Sequence, residues 1–193
     1  MSKLRIGGCD PGFANIGFSA VELYPVGASE LLGVKLVTTQ KTKSKVRLIE
    51  DEIRRIREIE DAFIAFLDEW HPDVFAMEEP GKCLMRRESG WATNPTLLRT
   101  SCLMWGSISG ICRARGIYVM QYTSQAIKKT ICGANNASKT DMEKAIKERY
   151  PTFKGWPTTK KVEHVVDAVG AAVTAFKEPF VMSLMRKLEN TEA

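Results

Sequence analysis

The sequence contains no apolar segment long enough to anchor it in a membrane. No stretch of its 193 residues approaches the roughly eighteen apolar residues that a transmembrane helix needs. Residues 1–5 lack the apolar run of a secretory signal. We therefore expect a cytoplasmic protein with no membrane partner.

Cysteine and histidine are also scarce, which argues against two kinds of stabilised small fold. The five cysteines are odd in number and include no C-x-x-C pair, and there are only two histidines. A disulfide framework and a zinc cage are both unsupported by this pattern. We interpret the cysteines as reduced thiols of an intracellular protein.

Acidic residues are nearly missing from one long segment. The whole chain carries a net charge of +5, but residues 80–130 hold eight basic residues and one acid, Glu88, for a local charge of +7. Such a concentration suits a polyanion such as nucleic acid. An ordinary solvated face is the alternative interpretation, because surface lysines and arginines are common.

The hydrophobic pattern predicts an α/β fold with a mixed five-stranded sheet. The strands are expected at residues 4–10, 16–23, 31–37, 74–77 and 117–120, and helices at 46–70, 96–115, 124–131, 138–149 and 162–176. The first three strands form an antiparallel meander, and strands joined through helices require parallel crossovers. Helices then flank the sheet.

Two of the connecting segments carry more specific expectations. The first predicted helix shows an apolar stripe at three- and four-residue spacing: Val46, Ile49, Ile53, Ile56, Phe63, Leu67 and Trp70. Its intervening charged residues are assigned to a solvated face. Residues 81–95 are expected to form an irregular basic loop.

An aspartate ends the first predicted strand. Pro11 and Gly12 follow Asp10 and force a tight turn there. The carboxylate is costly at such a position unless it is solvated, paired or bound to a cation. On its own, the motif is either a common turn or part of a metal site.

Further polar residues favour the metal site. If the first and fourth strands are parallel neighbours, Glu78 at the end of the fourth lies beside Asp10. Glu79 is its rival, but strand alternation places the two on opposite faces. His164 and Asp167 share one face of the last predicted helix. Three carboxylates and an imidazole suit Mg²⁺ or Mn²⁺, which can activate water against a phosphodiester.

These motifs resemble the RuvC family of Holliday-junction resolvases, within the RNase H-like superfamily. The similarity runs from residue 3 to 176, in the same order and at similar spacing. Its pieces are Ile6-Gly7-Gly8-Cys9-Asp10-Pro11-Gly12, Phe75-Ala76-Met77-Glu78, Ser124-Gln125-Ala126-Ile127-Lys128-Lys129-Thr130, Ala137-Ser138-Lys139 and His164-Val165-Val166-Asp167-Ala168. The resemblance implies that Asp10, Glu78, His164 and Asp167 are catalytic and hold Mg²⁺, with Mn²⁺ as a substitute.

We expect DNA contacts from the basic segment and from one lysine implied by the resemblance, Lys139. The set is Lys82, Arg86, Arg87, Trp91, Lys128, Lys129 and Lys139. Bacterial members typically carry a bulky aromatic residue three positions beyond the catalytic glutamate, whereas this chain has Gly81 there. Trp91 and Met85 are the candidates to replace it.

The resemblance implies a metal-dependent endonuclease that resolves four-way DNA junctions by paired nicks in a homodimer. The small-residue helix at 96–115 is the candidate interface. We assign residues 1–179 to the nuclease domain and 180–193 to a C-terminal tail. A bacterial cell or a phage-infected host is the expected setting, and any branch-migration helicase partner is unknown. Two alternatives stay open: a branched-DNA-binding protein without cleavage, and a related RNase H-like nuclease for hybrids or flaps.

Overall fold

The computed structural model describes residues 3–25, 27–80, 84–87 and 90–192, with the backbone alone for residues 84–87, 90, 91, 191 and 192. The strands are β1 (Leu4–Asp10), β2 (Asn15–Leu23), β3 (Ser29–Thr38), β4 (Val74–Glu78), β5 (Leu84–Arg87), β6 (Gly90–Thr93) and β7 (Tyr118–Tyr122). The helices are α1 (Leu48–Trp70), α2 (Pro95–Ala114), α3 (Ser124–Cys132), α4 (Lys139–Arg149), α5 (Val162–Thr174) and α6 (Pro179–Glu192). No described helix combines the length and apolar character that crossing a bilayer requires.

The main sheet is mixed, and its topology confirms the predicted fold class. Its strand order is β3-β2-β1-β4-β7. β1, β2 and β3 pair antiparallel, whereas β4 pairs parallel with both β1 and β7. Cys9 lies opposite Met77, so the carboxyl ends of β1 and β4 meet at the same edge of the sheet.

Side-chain alternation separates the core into two layers. Leu4 and Ile6 of β1 belong to the cluster that contains α5, and Cys9 belongs to the cluster that contains α1 and α2. β4 divides in the same way, with Val74 facing the α5 layer and Met77 facing the other. Because strand side chains alternate, Asp10 and Glu78 project on the α5 side.

Two glycines let the backbone of α5 lie directly against the strands. A Cβ atom on Gly17 would lie 2.0 Å from the carbonyl oxygen of His164. A Cβ atom on Gly8 would lie 2.0 Å from the carbonyl oxygen of Ala168. Helix α5 is therefore held over the ends of β1 and β2, and the residues of its first turns are fixed there.

The predicted apolar stripe of α1 is wrong in its first half. Ile49 and Ile53 are 47% and 42% exposed, and Val46 lies before the helix begins. The apolar side chains of α1 are buried only further along the helix, where Phe63 and Leu67 pack into the core. Periodicity defines a face of a helix, but the position of the neighbouring elements decides how much of that face is covered.

Two acids that were assigned to the solvated face of α1 are instead buried. Asp51 is bonded by Arg54 Nη2 at 2.7 Å and by the backbone N–H of Thr42 at 3.2 Å. Glu52 accepts from Arg99 Nη2 of α2 at 2.6 Å. The guanidinium groups offset much of the cost of burying these carboxylates.

One other expectation is corrected by regular structure. Residues 81–95, expected to be irregular, include the antiparallel pair β5 and β6. Most of residues 180–193, assigned from the sequence to a C-terminal tail, lie in α6, whose Val181 and Met185 are buried in the α5 core. Proline is well tolerated at a helix start, which suits Pro179. The domain boundary at residue 179 stays a prediction.

Candidate active site

Asp10 and His164 form the direct contact at the centre of the site. Asp10 ends β1 opposite Gly17, and His164 lies in the first turn of α5. The Nδ1–H of His164 donates to Asp10 Oδ2 at 2.6 Å. This hydrogen bond raises the pKa of His164, although partial burial opposes the shift. The predicted proximity of these two residues is therefore confirmed.

Glu78 lies beside this pair at the end of β4, and its pKa is strongly shifted. Its burial, followed by the negative charges of Asp10 and Asp167, raises the pKa of Glu78 to about 8. A hydrogen bond with Ser124 and the charge of Lys128 act in the opposite direction but do not cancel the effect. Glu79, its rival, is exposed.

Asp167 completes the acidic cluster from the second turn of α5. Burial and the charge of Asp10 raise the pKa of Asp167 to about 6, against the opposing charges of Lys139 and His164. The fold thus brings together all four residues that were predicted from separate segments. We call Asp10, Glu78, His164 and Asp167 the acidic cluster.

The donor set of this cluster fits a divalent cation. Carboxylates whose pKa values rise through mutual repulsion and burial are stabilised when a positive ion shares their charge. Among the described residues, no three or more His, Cys, Asp or Glu side chains form a group that could by itself hold a metal ion. Mg²⁺ rarely requires one, because it retains waters and takes phosphate oxygens beside one or two protein carboxylates.

A set of contacts that the sequence analysis missed fixes the turn after Asp10. The guanidinium carbon of Arg55 lies 3.9 Å from the ring centroid of Phe13, and Arg55 Nη2 donates to the Phe13 carbonyl at 3.3 Å. Thr39 Oγ1 donates to the same carbonyl at 2.8 Å and accepts from Arg55 Nε at 2.9 Å. The charge pattern of α1 marks Arg55 only as one of many arginines, so no sequence signal singles it out.

Two of the predicted DNA-contacting lysines lie close to the acidic cluster. Lys128 of α3 is close enough to influence Glu78, and Lys139 of α4 influences Asp167. Lys129 is exposed next to Lys128 on α3. Lys82 lies outside the described residues, as do the side chains of Arg86, Arg87 and Trp91.

Part of the basic segment's charge is neutralised within the fold. Arg99 pairs with the buried Glu52, and Arg115 pairs with Asp68 of α1. These two arginines join helices α1 and α2. The sequence-based charge of +7 therefore overstates what the segment offers to a polyanion.

The described cysteines show no sign of taking part in the chemistry of this site. Four of the five cysteines lie among the described residues, and all four are free thiols. Burial raises the pKa of the Cys9 thiol next to Asp10, which makes it a poor nucleophile.

Comparisons with known proteins agree with this geometry. The family model described as crossover junction endodeoxyribonuclease RuvC matches residues 6–175. Curated relatives of that name include one from Prochlorococcus marinus (strain AS9601), 29% identical over 91% of this chain and 98% of the relative, and one from Thermomicrobium roseum, 25% identical over 90% and 93%.

Solved structures share the fold. A structure of T. thermophilus RuvC in complex with a Holliday junction substrate matches with a TM-score of 0.70 at 19% identity, covering 94% of this chain and 97% of that one. The yeast mitochondrial Holliday junction resolvase matches with a TM-score of 0.62 at 15% identity, covering 97% and 81%.

Proposed function

This chain belongs to the RuvC family of crossover junction endodeoxyribonucleases, and we propose that it cuts four-way DNA junctions with the acidic cluster as its catalytic centre. The observation that carries the proposal is the burial of Glu78 and Asp167 beside Asp10, which together with mutual repulsion raises the pKa of both carboxyl groups. Such crowding destabilises the free protein, so it is expected where a cation and a phosphodiester are handled.

Nucleases of this family depend on divalent metal, and we assign Mg²⁺ to this chain, with Mn²⁺ as a substitute. Asp10, Glu78, Asp167 and His164 would hold it. When bound, it supplies a Lewis acid for the phosphodiester and lowers the pKa of a bound water. Carboxylate oxygens are the ligands that this hard cation prefers.

The chain's own residues supply positioning and proton handling. Asp10 accepts the Nδ1–H of His164, which fixes the ring and leaves Nε2 directed away from Asp10. An imidazole held in this way can exchange a proton with water or with a leaving oxygen near neutral pH. Lys128 and Lys139 lie beside the carboxylates, so each can donate to a phosphate that approaches the cluster.

We also propose that two copies act together to make paired nicks, with α2 at the interface. Leu97, Leu98 and Leu103 on this helix are each about 40% exposed, at 44%, 41% and 39%. Positions Gly106 and Gly110 leave open space next to the helix, where a second backbone could approach closely. Sedimentation that finds only monomers at micromolar concentration would contradict this assignment.

Cleavage of a labelled four-way junction in Mg²⁺ tests the function. We expect wild type to nick opposite strands and Asp10→Asn to lose about 1,000-fold in rate, as removal of a principal charge-stabilising group does. A matched control is Asp61→Asn on α1, which should cleave normally.

The same assay separates the two alternatives. Tight junction binding without nicking in any divalent ion would indicate a non-cleaving branched-DNA-binding protein. Preference for an RNA–DNA hybrid or a flap over the junction would indicate a nuclease of a different substrate class.

A further inference from the structure

We propose that Glu163, which lies outside the acidic cluster, is a positioning residue that holds the ammonium group of Lys139 ready for a substrate phosphate. The inference rests on the proposed function, because it assigns a phosphodiester to the site. It concerns a residue that acts through Lys139 and His164 rather than on the substrate.

Glu163 lies between two functional groups and contacts each with a different oxygen. Its Oε2 lies 2.7 Å from Lys139 Nζ, and its Oε1 lies 3.9 Å from His164 Nε2. The other nitrogen of His164 is bonded to Asp10 at 2.6 Å. Lys139, Glu163, His164 and Asp10 therefore form one array of neighbouring ionisable groups that runs from α4 across α5 to β1.

The array restrains a side chain that would otherwise be mobile. The side chain of Lys139 is 67% exposed, and an unrestrained lysine side chain samples many rotamers. An ammonium group has three donors. One donor directed at Glu163 leaves two for a phosphate, so Lys139 can serve the substrate without leaving its partner.

The array differs from an ordinary surface ion pair in what surrounds it. Lys147 and Glu143 form a comparable ion pair within α4, the helix that also carries Lys139. Its N–O distance is 2.5 Å, and Glu143 is buried to a similar extent as Glu163. Lys147 lies near Trp156, whereas the charge of Lys139 reaches both Asp167 and Asp10. Glu143 is therefore a matched control for Glu163.

The charge of Glu163 makes a specific kinetic prediction. The negative charge of Glu163 opposes the binding of a polyanion such as DNA, so Glu163 is not expected to strengthen binding of the substrate in its ground state. Its contribution must come from holding Lys139 in place for the transition state. We expect Glu163→Gln to lower kcat about tenfold while KM stays the same or falls, and Glu143→Gln to change neither by more than about twofold.

A double-mutant cycle tests whether Glu163 acts through Lys139. In a Lys139→Met background, Glu163→Gln should lower kcat by less than about twofold further. A full tenfold loss in both backgrounds would overturn the proposal, as would a rise in KM with kcat unchanged.

A third measurement needs neither cleavage nor metal. Acetylation of surface lysines, followed by mass spectrometry, reports how firmly each ammonium is held. Glu163→Gln should speed modification of Lys139 at least about threefold and leave Lys144 unchanged, because an ion pair protects the amine. An unchanged Lys139 rate would overturn the pairing, and this holds even if wild type fails to cut a junction and the proposed function falls.

Discussion

The two ends of strand β1 treat buried acids in opposite ways. At its start, Arg5 lies opposite Glu22, whose oxygens accept from Arg5, Lys3 and the hydroxyl of Tyr24. Burial alone would raise the pKa of Glu22, but these three donors outweigh it and lower the value. At the other end, burial and two neighbouring acids raise the pKa of Glu78 to about 8.

The difference shows what each end is built to do. Donors from the protein itself satisfy Glu22, which therefore contributes to the stability of the folded chain. The acidic cluster leaves negative charge that the protein does not balance, and natural sequences retain such local conflict mainly at functional sites. One sheet thus stabilises the fold at one end of β1 and, under the proposed function, presents the catalytic carboxylates at the other end.

The largest effect that distinguishes the two ends is the loss of activity on Glu78→Gln. The amide keeps the shape of the side chain and removes its charge, so we expect cleavage to fall about 1,000-fold, or about 4 kcal/mol in barrier. The free energy of unfolding should stay the same or rise, because repulsion from Asp10 and Asp167 is relieved.

Steady-state cleavage and urea unfolding measure the two quantities. Glu79→Gln, on the adjacent exposed residue, should cost less than about tenfold in rate. Equal losses for the two variants would show that the strand end was assigned to the wrong acid.

The position of Glu78 illustrates how far sequence reasoning reached. The sequence left the parallel pairing of β1 and β4 as a condition for bringing Asp10 to Glu78, and the pairing of Cys9 with Met77 meets that condition. Alternation along β4 separated Glu78 from Glu79 and favoured Glu78. That step rests on backbone geometry that every strand shares, which is why it could be made without coordinates.

Contacts between side chains from distant segments could not be predicted in the same way. Arg55 stacks on Phe13, and Glu163 pairs with Lys139, but neither pair has a spacing that marks it. The predictions that Ile49 is buried and that Asp51 is exposed were wrong for a related reason. Their environment depends on which neighbouring element covers α1, and one helix's periodicity holds no information about that.

The next prediction concerns the close approach that gathers the cluster. In Gly17→Ala the new Cβ would lie 2.0 Å from the carbonyl oxygen of His164, so the start of α5 must move away. We expect a loss of about 3 kcal/mol in unfolding free energy, together with reduced cleavage.

Gly106→Ala on α2 is the matched control for this methyl group when unfolding is measured on the dissociated chain, because a second copy packed on α2 would itself meet the new Cβ. The added Cβ meets no heavy atom within 4 Å, so a gain of about 0.5 to 1 kcal/mol is expected from helix propensity. Denaturant unfolding of both variants measures the contrast. Similar stability for Gly17→Ala and wild type would contradict the tight α5 contact.

At the Glu22 end of β1, replacing the glutamate with glutamine should lower the unfolding free energy, whereas at Glu78 it should not. Glu22→Gln leaves Arg5 without its buried carboxylate, and we expect a loss of about 2 kcal/mol in unfolding free energy. Cleavage by the folded variant should match wild type. If Glu22→Gln and Glu78→Gln shifted stability in the same direction, the contrast between the two ends would fail.

Added Mg²⁺ should stabilise only the end that carries unbalanced charge. At an ion concentration about ten times the dissociation constant, linkage predicts a gain of about 1.4 kcal/mol in wild type. Thermal unfolding with and without EDTA measures it. The gain should persist in Glu22→Gln and disappear in Glu78→Gln, and an equal gain in all three proteins would indicate binding elsewhere.

The smallest effect is the pH dependence of the Glu22 contribution. Because the pKa of Glu22 is lower in the folded chain, the unfolded chain binds more protons in this window, and stability rises with pH there. The contribution is complete above the ordinary glutamate value of about 4.3 and is lost as pH falls through the lowered folded value. The stability difference between wild type and Glu22→Gln should therefore be constant from pH 8 to about 5 and shrink in more acidic solution. Urea unfolding of both proteins across this range measures the difference, in which the titration of the other acids largely cancels. A difference that stayed constant into strong acid would mean that the packing of Glu22, and not its charge, stabilises this end of the strand.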